Sequence, residues 1–229
     1  MIKAMRDHKK GKEHFEVYLQ ETDQNIVEYS ELFKKIPSEN QLGKMSCLGY
    51  IAHLYRNKLV AMYSAGFPIP EIQEQFQYCI EATMESIDEN QSYHPVLELL
   101  ALAVLLDYDN VDVIRNILRK TSIENKLTDT FAHHLDKNWP ITENTDWCPW
   151  YAEFLQCPSE SRSMFIQQYL SQKWYRNHKD DDWYNSHNAK NYNGYAGYWA
   201  FEIAAIAKIF DVPDSRDWTY YPYDMVHKI

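Results

Sequence analysis

Residues 191–202 read NYNGYAGYWAFE, and the apolar run that they begin continues to Phe210. On a helical projection the large apolar side chains share one side, and alanines occupy most of the other. The large ones are Tyr195, Tyr198, Trp199, Ile203, Ile206, Ile209 and Phe210. A helix that is apolar nearly all round is a buried helix. We therefore predict a central helix here. Its motif, with the aromatic tail that follows, forms part of the core: Tyr198, Trp199, Glu202, Tyr221 and Tyr223.

One carboxylate, Glu202, falls in the middle of the aromatic side of this predicted helix. Burying a carboxylate without a partner costs several kcal/mol or more. We expect a Tyr, a Trp or a basic side chain to hold Glu202 in a structural role. The alternative is an enzyme that uses Glu202 as a buried catalytic carboxylate.

Apolar residues recur at three- and four-residue steps along most of the chain. This periodicity predicts helices over about 12–35, 46–65, 70–87, 95–106, 126–135, 150–156 and 161–176, and another that begins after Asp109 or Asn110. Gly66 is placed to end the second of them in the left-handed conformation. No alternating strand pattern of useful length occurs. We predict an all-α fold in one domain, residues 1–229, of packed and mostly antiparallel helices, with an N-terminal half to about 120 and a C-terminal half from 121.

No segment has the roughly 18 to 20 consecutive apolar residues that a membrane-spanning helix needs. The first ten residues, MIKAMRDHKK, lack the apolar run of a signal peptide. The four cysteines show no CxxC pairing, which is typical of reduced, buried thiols. These features predict a cytoplasmic protein.

Negative charge is concentrated in the middle of the chain. The formal net charge is −10, but residues 61–160 alone carry −12, and no basic residue lies between Met62 and Ile114. Such a region repels nucleic acid and attracts basic partners. The predicted third helix places its acids on the face opposite its apolar one. The candidate partner-binding residues are Glu71, Glu74, Glu81, Glu85, Asp88, Asp107, Asp109 and Asp112.

Motifs for nucleotide binding and for hydrolase or zinc-protease chemistry are absent from the sequence. The loop from His178 to His187 contains Asp180, Asp181 and Asp182, residue types that could bind a metal, but three consecutive acids favour a solvated loop. We predict no catalytic residues, no metal and no cofactor.

The block GYAGYWAFEIAAI, residues 194–206, followed by YPYDMVH at 221–227, resembles the C-terminal part of the PoNi immunity proteins. The pairs WY at 174–175 and 183–184 are also similar to that family. In the N-terminal half, a long amphipathic first helix and the sequence YSAG at 63–66 resemble it in pattern.

This resemblance implies an all-helical protein that is not an enzyme. PoNi proteins are antidotes of PoNe-family polymorphic DNase toxins, which bacteria deliver into rivals through systems such as type VI secretion. The resemblance therefore implies tight binding to one nuclease toxin and occlusion of its DNA-cutting site. A nuclease presents a positive surface to DNA, so the acidic middle of the chain agrees with such a partner. A helical-repeat adaptor that binds peptides in a concave groove is the remaining alternative.

Overall fold

The computed structural model describes residues 4–88, 93–189 and 194–229. In these ranges the regular secondary structure is helical and no strand occurs, so the predicted all-α class is confirmed. Contacts divide the chain into two compact units, and each is discontinuous in sequence. Unit 1 comprises residues 1–87 and 181–198, and unit 2 comprises residues 88–180 and 199–229.

Unit 1 is built on three long helices: α1 (Lys12–Lys35), α2 (Gln41–Ser64) and α3 (Ile69–Ser86). Short connections join them, and α2 packs against both neighbours. The bounds of α1 are those predicted from the sequence. Helix α2 begins five residues before its predicted start, because the Asn40 side chain accepts a bond from Gly43 N at 2.9 Å and caps the helix. Gly66 has φ 85° and ends α2 as predicted.

The second part of unit 1 includes a short 3-10 turn (Ser186–Asn188) and residues 194–198, which bond to residues near the start of α1 and the end of α2. The Tyr195 hydroxyl donates to Asp7 Oδ2 at 2.5 Å, and His14 Nε2 donates to the Tyr195 carbonyl at 2.7 Å. Ser64 Oγ donates to the Ala196 carbonyl at 2.6 Å. Hydrogen bonds between residues far apart in sequence therefore hold the two parts of unit 1 together.

Unit 2 contains the remaining α-helices, which are shorter. They are α4 (Tyr93–Leu105), α5 (Val111–Thr121), α6 (Lys126–Leu135), α7 (Pro149–Gln156), α8 (Arg162–Tyr169), α9 (Tyr175–Asn177), α10 (Phe201–Ile209) and α11 (Tyr223–His227). A 3-10 turn (Ser159–Ser161) precedes α8, and a π-helical turn (Leu170–Trp174) joins α8 to α9. Helix α4 is buried nearly all round and packs against α6 and α10. Asn110 caps α5 through a bond from Val113 N.

The prediction that a helix begins near Tyr195 is wrong in its boundary. Helix α10 begins only at Phe201, and the residues before it are not helical. Gly197 has φ 132°, which a right-handed helix does not allow. The amide of Ala200 donates to the Tyr220 carbonyl at 2.8 Å, so it makes a tertiary bond in place of a helical one.

A well-bonded loop connects α6 to α7. Asp129, on α6, is 3% exposed and accepts bonds from Trp139 Nε1 at 3.0 Å, from Thr142 N at 3.0 Å and from Thr142 Oγ1 at 2.6 Å. The Lys126 amide donates to the Asn144 carbonyl. These bonds attach the loop to α6.

None of the helices formed by the described residues is both long enough and apolar enough to cross a membrane. The four cysteines are free, and three of them, Cys47, Cys79 and Cys148, are buried.

Candidate functional site

The outward face of α3 carries a row of acidic side chains. Glu71, Glu74, Glu81 and Glu85 are all exposed, while Ile72, Phe76, Cys79 and Ile80 on the opposite face are buried. In the part of the chain that the structure describes, none of these four carboxylates has a hydrogen bond or an ion pair. The prediction that the acids face away from the core of α3 therefore matches the geometry.

A groove of about 600 Å³ runs along this acidic face. Its lining consists of Met62, Glu71, Glu74, Gln75, Gln77, Tyr78 and Glu81. Met62, on α2, is nearly fully buried, whereas the Tyr78 side chain is 56% exposed. The Tyr78 ring is stacked on Tyr55 of α2, with a centroid separation of 6.2 Å and an interplanar angle of 16°. The groove thus combines negative charge with a supported aromatic surface.

The electrostatic environment beside the groove is negative. Burial raises the pKa of Tyr55, and the charges of Asp23 and Glu81 raise it further. Lys58, on α2, is bonded to Asp23 at 2.6 Å. Among the described residues, no basic side chain lines the groove itself.

The other candidate acids do not line this groove, and two of them form ion pairs. Asp107, in unit 2, pairs with Lys208 and Lys228, and Asp112 pairs with Arg115 at 3.4 Å. Asp109 is exposed, as is Asp88, which is the last described residue before position 93. The structure therefore brings Glu71, Glu74 and Glu81 together in one groove, and it does not bring the remaining candidates into that groove.

Glu202 lies in the first turn of α10 and is partly buried. Trp174 Nε1 donates to Glu202 Oε1 at 2.7 Å, so one of the predicted kinds of partner, a Trp, is present. Burial raises the pKa of Glu202, while His178 and the Trp174 bond oppose that rise. The π-helical turn that ends at Trp174 positions the indole for this bond.

The other residues of the predicted core motif differ in their burial. Tyr198 and Tyr221 are each 3% exposed, whereas Trp199 and Tyr223 are half-buried. Tyr198 belongs to unit 1, where its hydroxyl accepts a bond from the His187 amide at 3.1 Å. The motif therefore contributes to two units and does not form one helix surface.

No group of three or more metal-ligating side chains converges among the described residues. In the loop from His178 to His187, His187 is bonded to the Tyr198 hydroxyl through Nδ1 at 2.9 Å. Positions 190–193, at the end of the predicted polar loop and the start of the NYNGYAGYWAFE stretch, lie outside the described residues.

Tyr78 lines the groove but is not among the residues predicted from the sequence to bind a partner. A signal was present, because the spacing Glu71, Glu74, Tyr78, Glu81 places all four on one stripe of a helix. An aromatic residue on the acidic side of an amphipathic helix breaks the pattern and is a sign of a surface contact.

The fold and the site together define an all-α protein with an unpaired acidic groove on its surface. The chain belongs to the PoNi family: residues 6–117 match the model of the N-terminal part of PoNe immunity proteins, and residues 123–225 match that of the C-terminal part. This family is that of immunity proteins against PoNe nuclease toxins, and the resemblance inferred from the sequence is confirmed.

Among solved structures, the crystal structure of protein PA2201 from Pseudomonas aeruginosa is similar in fold. Its TM-score is 0.71 at 16% sequence identity, with 98% of this chain and 90% of that chain covered. No curated protein matches the chain in sequence.

Proposed function

We propose that this chain neutralises its cognate PoNe-type nuclease by docking the acidic face of α3 on the basic surface with which the toxin binds DNA. The toxin would then be excluded from its substrate without any chemical step, and the chain would act in the cytoplasm, where the chromosome is. The observation that carries the proposal is the set of unpaired carboxylates Glu71, Glu74 and Glu81 in one groove.

Two physical effects support an electrostatic mechanism. Complementary charge raises the association rate of proteins by about 10- to 1,000-fold at low salt, and speed matters when free toxin cuts the chromosome. Like charges stacked along one helix face also destabilise that helix slightly, and a cationic partner relieves this repulsion. The residue-level contacts that we propose are Glu71, Glu74 and Glu81, with Glu85 at the end of the same stripe.

The test is a charge reversal in a chain that keeps its fold. The triple variant Glu71→Lys, Glu74→Lys and Glu81→Lys is mixed with the cognate PoNe-type nuclease in a stopped-flow titration. We expect the association rate to fall about tenfold or more and its salt dependence to flatten. A plasmid-cleavage assay with the same variant should show weaker inhibition.

The matched control makes the same change in net charge elsewhere. Glu153, Glu160 and Asp217 are exposed acids of unit 2, and their reversal to Lys alters the total charge by the same amount. If both triple variants bind the toxin equally fast, the placement of the interface on α3 is wrong. If neither differs from the wild type, electrostatic docking itself is wrong.

A further inference from the structure

The aromatic ring of the groove lies between two carboxylates on one stripe of α3. Glu74 is four residues before Tyr78 and Glu81 is three residues after it, so both are helical neighbours of the ring, with Cβ atoms about 5–6 Å from that of Tyr78. The ring is more than half exposed, and Tyr55 supports it from α2. This arrangement offers one aromatic surface with an acid on either side.

An arginine side chain is the group that fits such a surface. A guanidinium plane stacks on an aromatic ring and binds carboxylates through its fixed fork of N–H donors, whereas a lysine ammonium does neither as well. The apolar stem of an arginine would lie against Met62 on the groove floor. The groove volume of about 600 Å³ is ample for one such side chain.

The same chain contains an internal example of this chemistry in unit 2. The guanidinium of Arg216 lies 4.9 Å from the centroid of the Tyr223 ring, and its Nη1 is 2.6 Å from Asp224 Oδ1. Here the aromatic ring and the carboxylate of two consecutive residues, Tyr223 and Asp224, bind one arginine. The groove on α3 has the ring and the carboxylates but no arginine from the described part of its own chain.

We infer that the groove around Tyr78 is the receptor for an arginine of the toxin, with the guanidinium stacked on Tyr78 and bonded by Glu74 and Glu81. The inference rests on the proposed function, and it adds the anchor residue and the chemistry of the group that it receives. Charge complementarity selects this occupant, because the lining is acidic without a basic residue and a DNA-binding surface is rich in arginine. The carboxylates raise the rate at which the chain and the toxin associate, and the stacking of the guanidinium on Tyr78 lowers the rate at which they dissociate.

The test separates these two contributions. Tyr78→Ala removes the ring without changing the charge, so we expect an unchanged association rate and a dissociation rate raised about 5- to 30-fold. Tyr78→Phe keeps the ring and should stay within about twofold of the wild type. Tyr50→Ala is the matched control, since Tyr50 is also an exposed tyrosine of unit 1, at 39%, and does not line the groove. Circular dichroism and thermal unfolding verify that each variant is folded.

A chemical footprint identifies the group that is bound. Phenylglyoxal modifies accessible arginines, and mass spectrometry of a catalytically inactive toxin reports which of them the complex protects. We expect one toxin arginine that is protected by the wild type and by Tyr78→Phe and is modified again in the complex with Tyr78→Ala.

The outcomes also distinguish this inference from the proposed function. If Tyr78→Ala dissociates as slowly as the wild type, or if its complex protects the same arginines, the arginine receptor is refuted even when the Glu→Lys reversal slows association. If the Glu→Lys reversal also leaves association unchanged, both the arginine receptor and the docking surface on α3 are refuted.

Discussion

The acids on the outward face of α3 and three acids of unit 2, Asp107, Asp129 and Asp136, have the same formal charge and opposite structural situations. In unit 2, Asp107 is held by two lysines, Asp136 accepts from Arg115 Nε at 2.7 Å, and Asp129 accepts three bonds from one loop. On α3, by contrast, Glu71, Glu74, Glu81 and Glu85 have no such partner among the described residues. Both sets belong to the stretch that carries a net charge of −12.

This difference shows that net charge alone does not locate a binding surface. A paired acid has its field largely cancelled nearby and contributes to folding, whereas an unpaired acid projects its field into solvent. The acids that stabilise the fold and those available to a partner can therefore be separated by mutation.

The strongest test of the paired class is Asp129→Ala. The substitution leaves Trp139 Nε1 and the Thr142 amide without their acceptor at partly buried positions, and an unsatisfied donor away from water costs about 1–3 kcal/mol. We expect the free energy of unfolding to fall by about 3 kcal/mol in a urea titration followed by circular dichroism. Asp129→Asn, which retains an acceptor oxygen, should lose clearly less. An Asp129→Ala variant as stable as the wild type would contradict the structural role assigned to this acid.

Glu202 is an acid that accepts a hydrogen bond from an indole and is not part of an ion pair with Lys or Arg among the described residues. Its pKa is raised by burial, so the ionised form opposes folding: the stability is complete below the ordinary pKa of about 4.5 and decreases as pH rises through the raised value. Glu202→Gln keeps an acceptor for Trp174 and removes the charge.

We therefore expect Glu202→Gln to be more stable than the wild type at pH 7 and equal to it at pH 4, with an effect smaller than that of Asp129→Ala. The measurement is thermal unfolding at the two pH values. Inhibition of the toxin should be unchanged. Full stability with loss of the protective activity would instead favour the alternative of an enzyme that uses Glu202.

Asp107 tests an acid that is paired but partly exposed. Burial alone would raise its pKa, but bonds from Lys208 and Lys228 outweigh this and hold the pKa below its ordinary value. A lowered pKa gives stability that is present above the unfolded pKa and lost as pH falls through the folded one. The backbone of Asp107 has φ 53°, and Asn tolerates that conformation.

We expect Asp107→Asn to destabilise the chain at pH 7 by at most about 1 kcal/mol, because solvent screens a carboxylate that is 57% exposed. The difference from the wild type should shrink as pH falls below about 4 in a series of urea titrations. A difference that persists unchanged at pH 2 would show that the ion pairs are not its cause.

Substitution of an unpaired acid on α3 should have the smallest effect on the free energy of unfolding, and it should stabilise the chain instead of destabilising it. Glu81→Gln removes one charge of the like-charged pair Glu81 and Glu85, which are four residues apart on α3. We expect a gain of about 0.2–0.5 kcal/mol in the free energy of unfolding at low salt and a smaller gain at high salt. A loss of more than 1 kcal/mol would mean that Glu81 has a structural partner and belongs to the paired class.

The helices with strong periodicity and local end signals could be predicted from the sequence. Residues 12–35 and 126–135 form helices with the predicted bounds, and Gly66 ends α2 as expected. The start of α10 could not be predicted, because it depends on the bond between Ala200 and Tyr220, which are distant in sequence. The length of the apolar run was informative, whereas its helical boundary depended on tertiary contacts.

The candidate site was predictable to a similar extent. The outward acidic face of α3 follows from its periodicity, but the pairing of Asp107 does not, since Lys208 and Lys228 come about a hundred residues later. Tyr78 was also missed, because an aromatic residue in a helix is usually assigned to the core. Distances in the folded chain, and not residue types, decide which acids are unpaired.

The division of unit 1 into residues 1–87 and 181–198 affects how the chain folds while it is being translated. Helix α3 leaves the exit tunnel early, but Tyr195, which bonds Asp7 and His14, is synthesised only after the whole intervening stretch of unit 2. At about 5–20 residues per second, this delay is roughly 5–20 s. A nascent chain therefore lacks the bonds of Tyr195 to Asp7 and His14 until it has been translated up to residue 195, so α1–α3 must persist without them in the meantime.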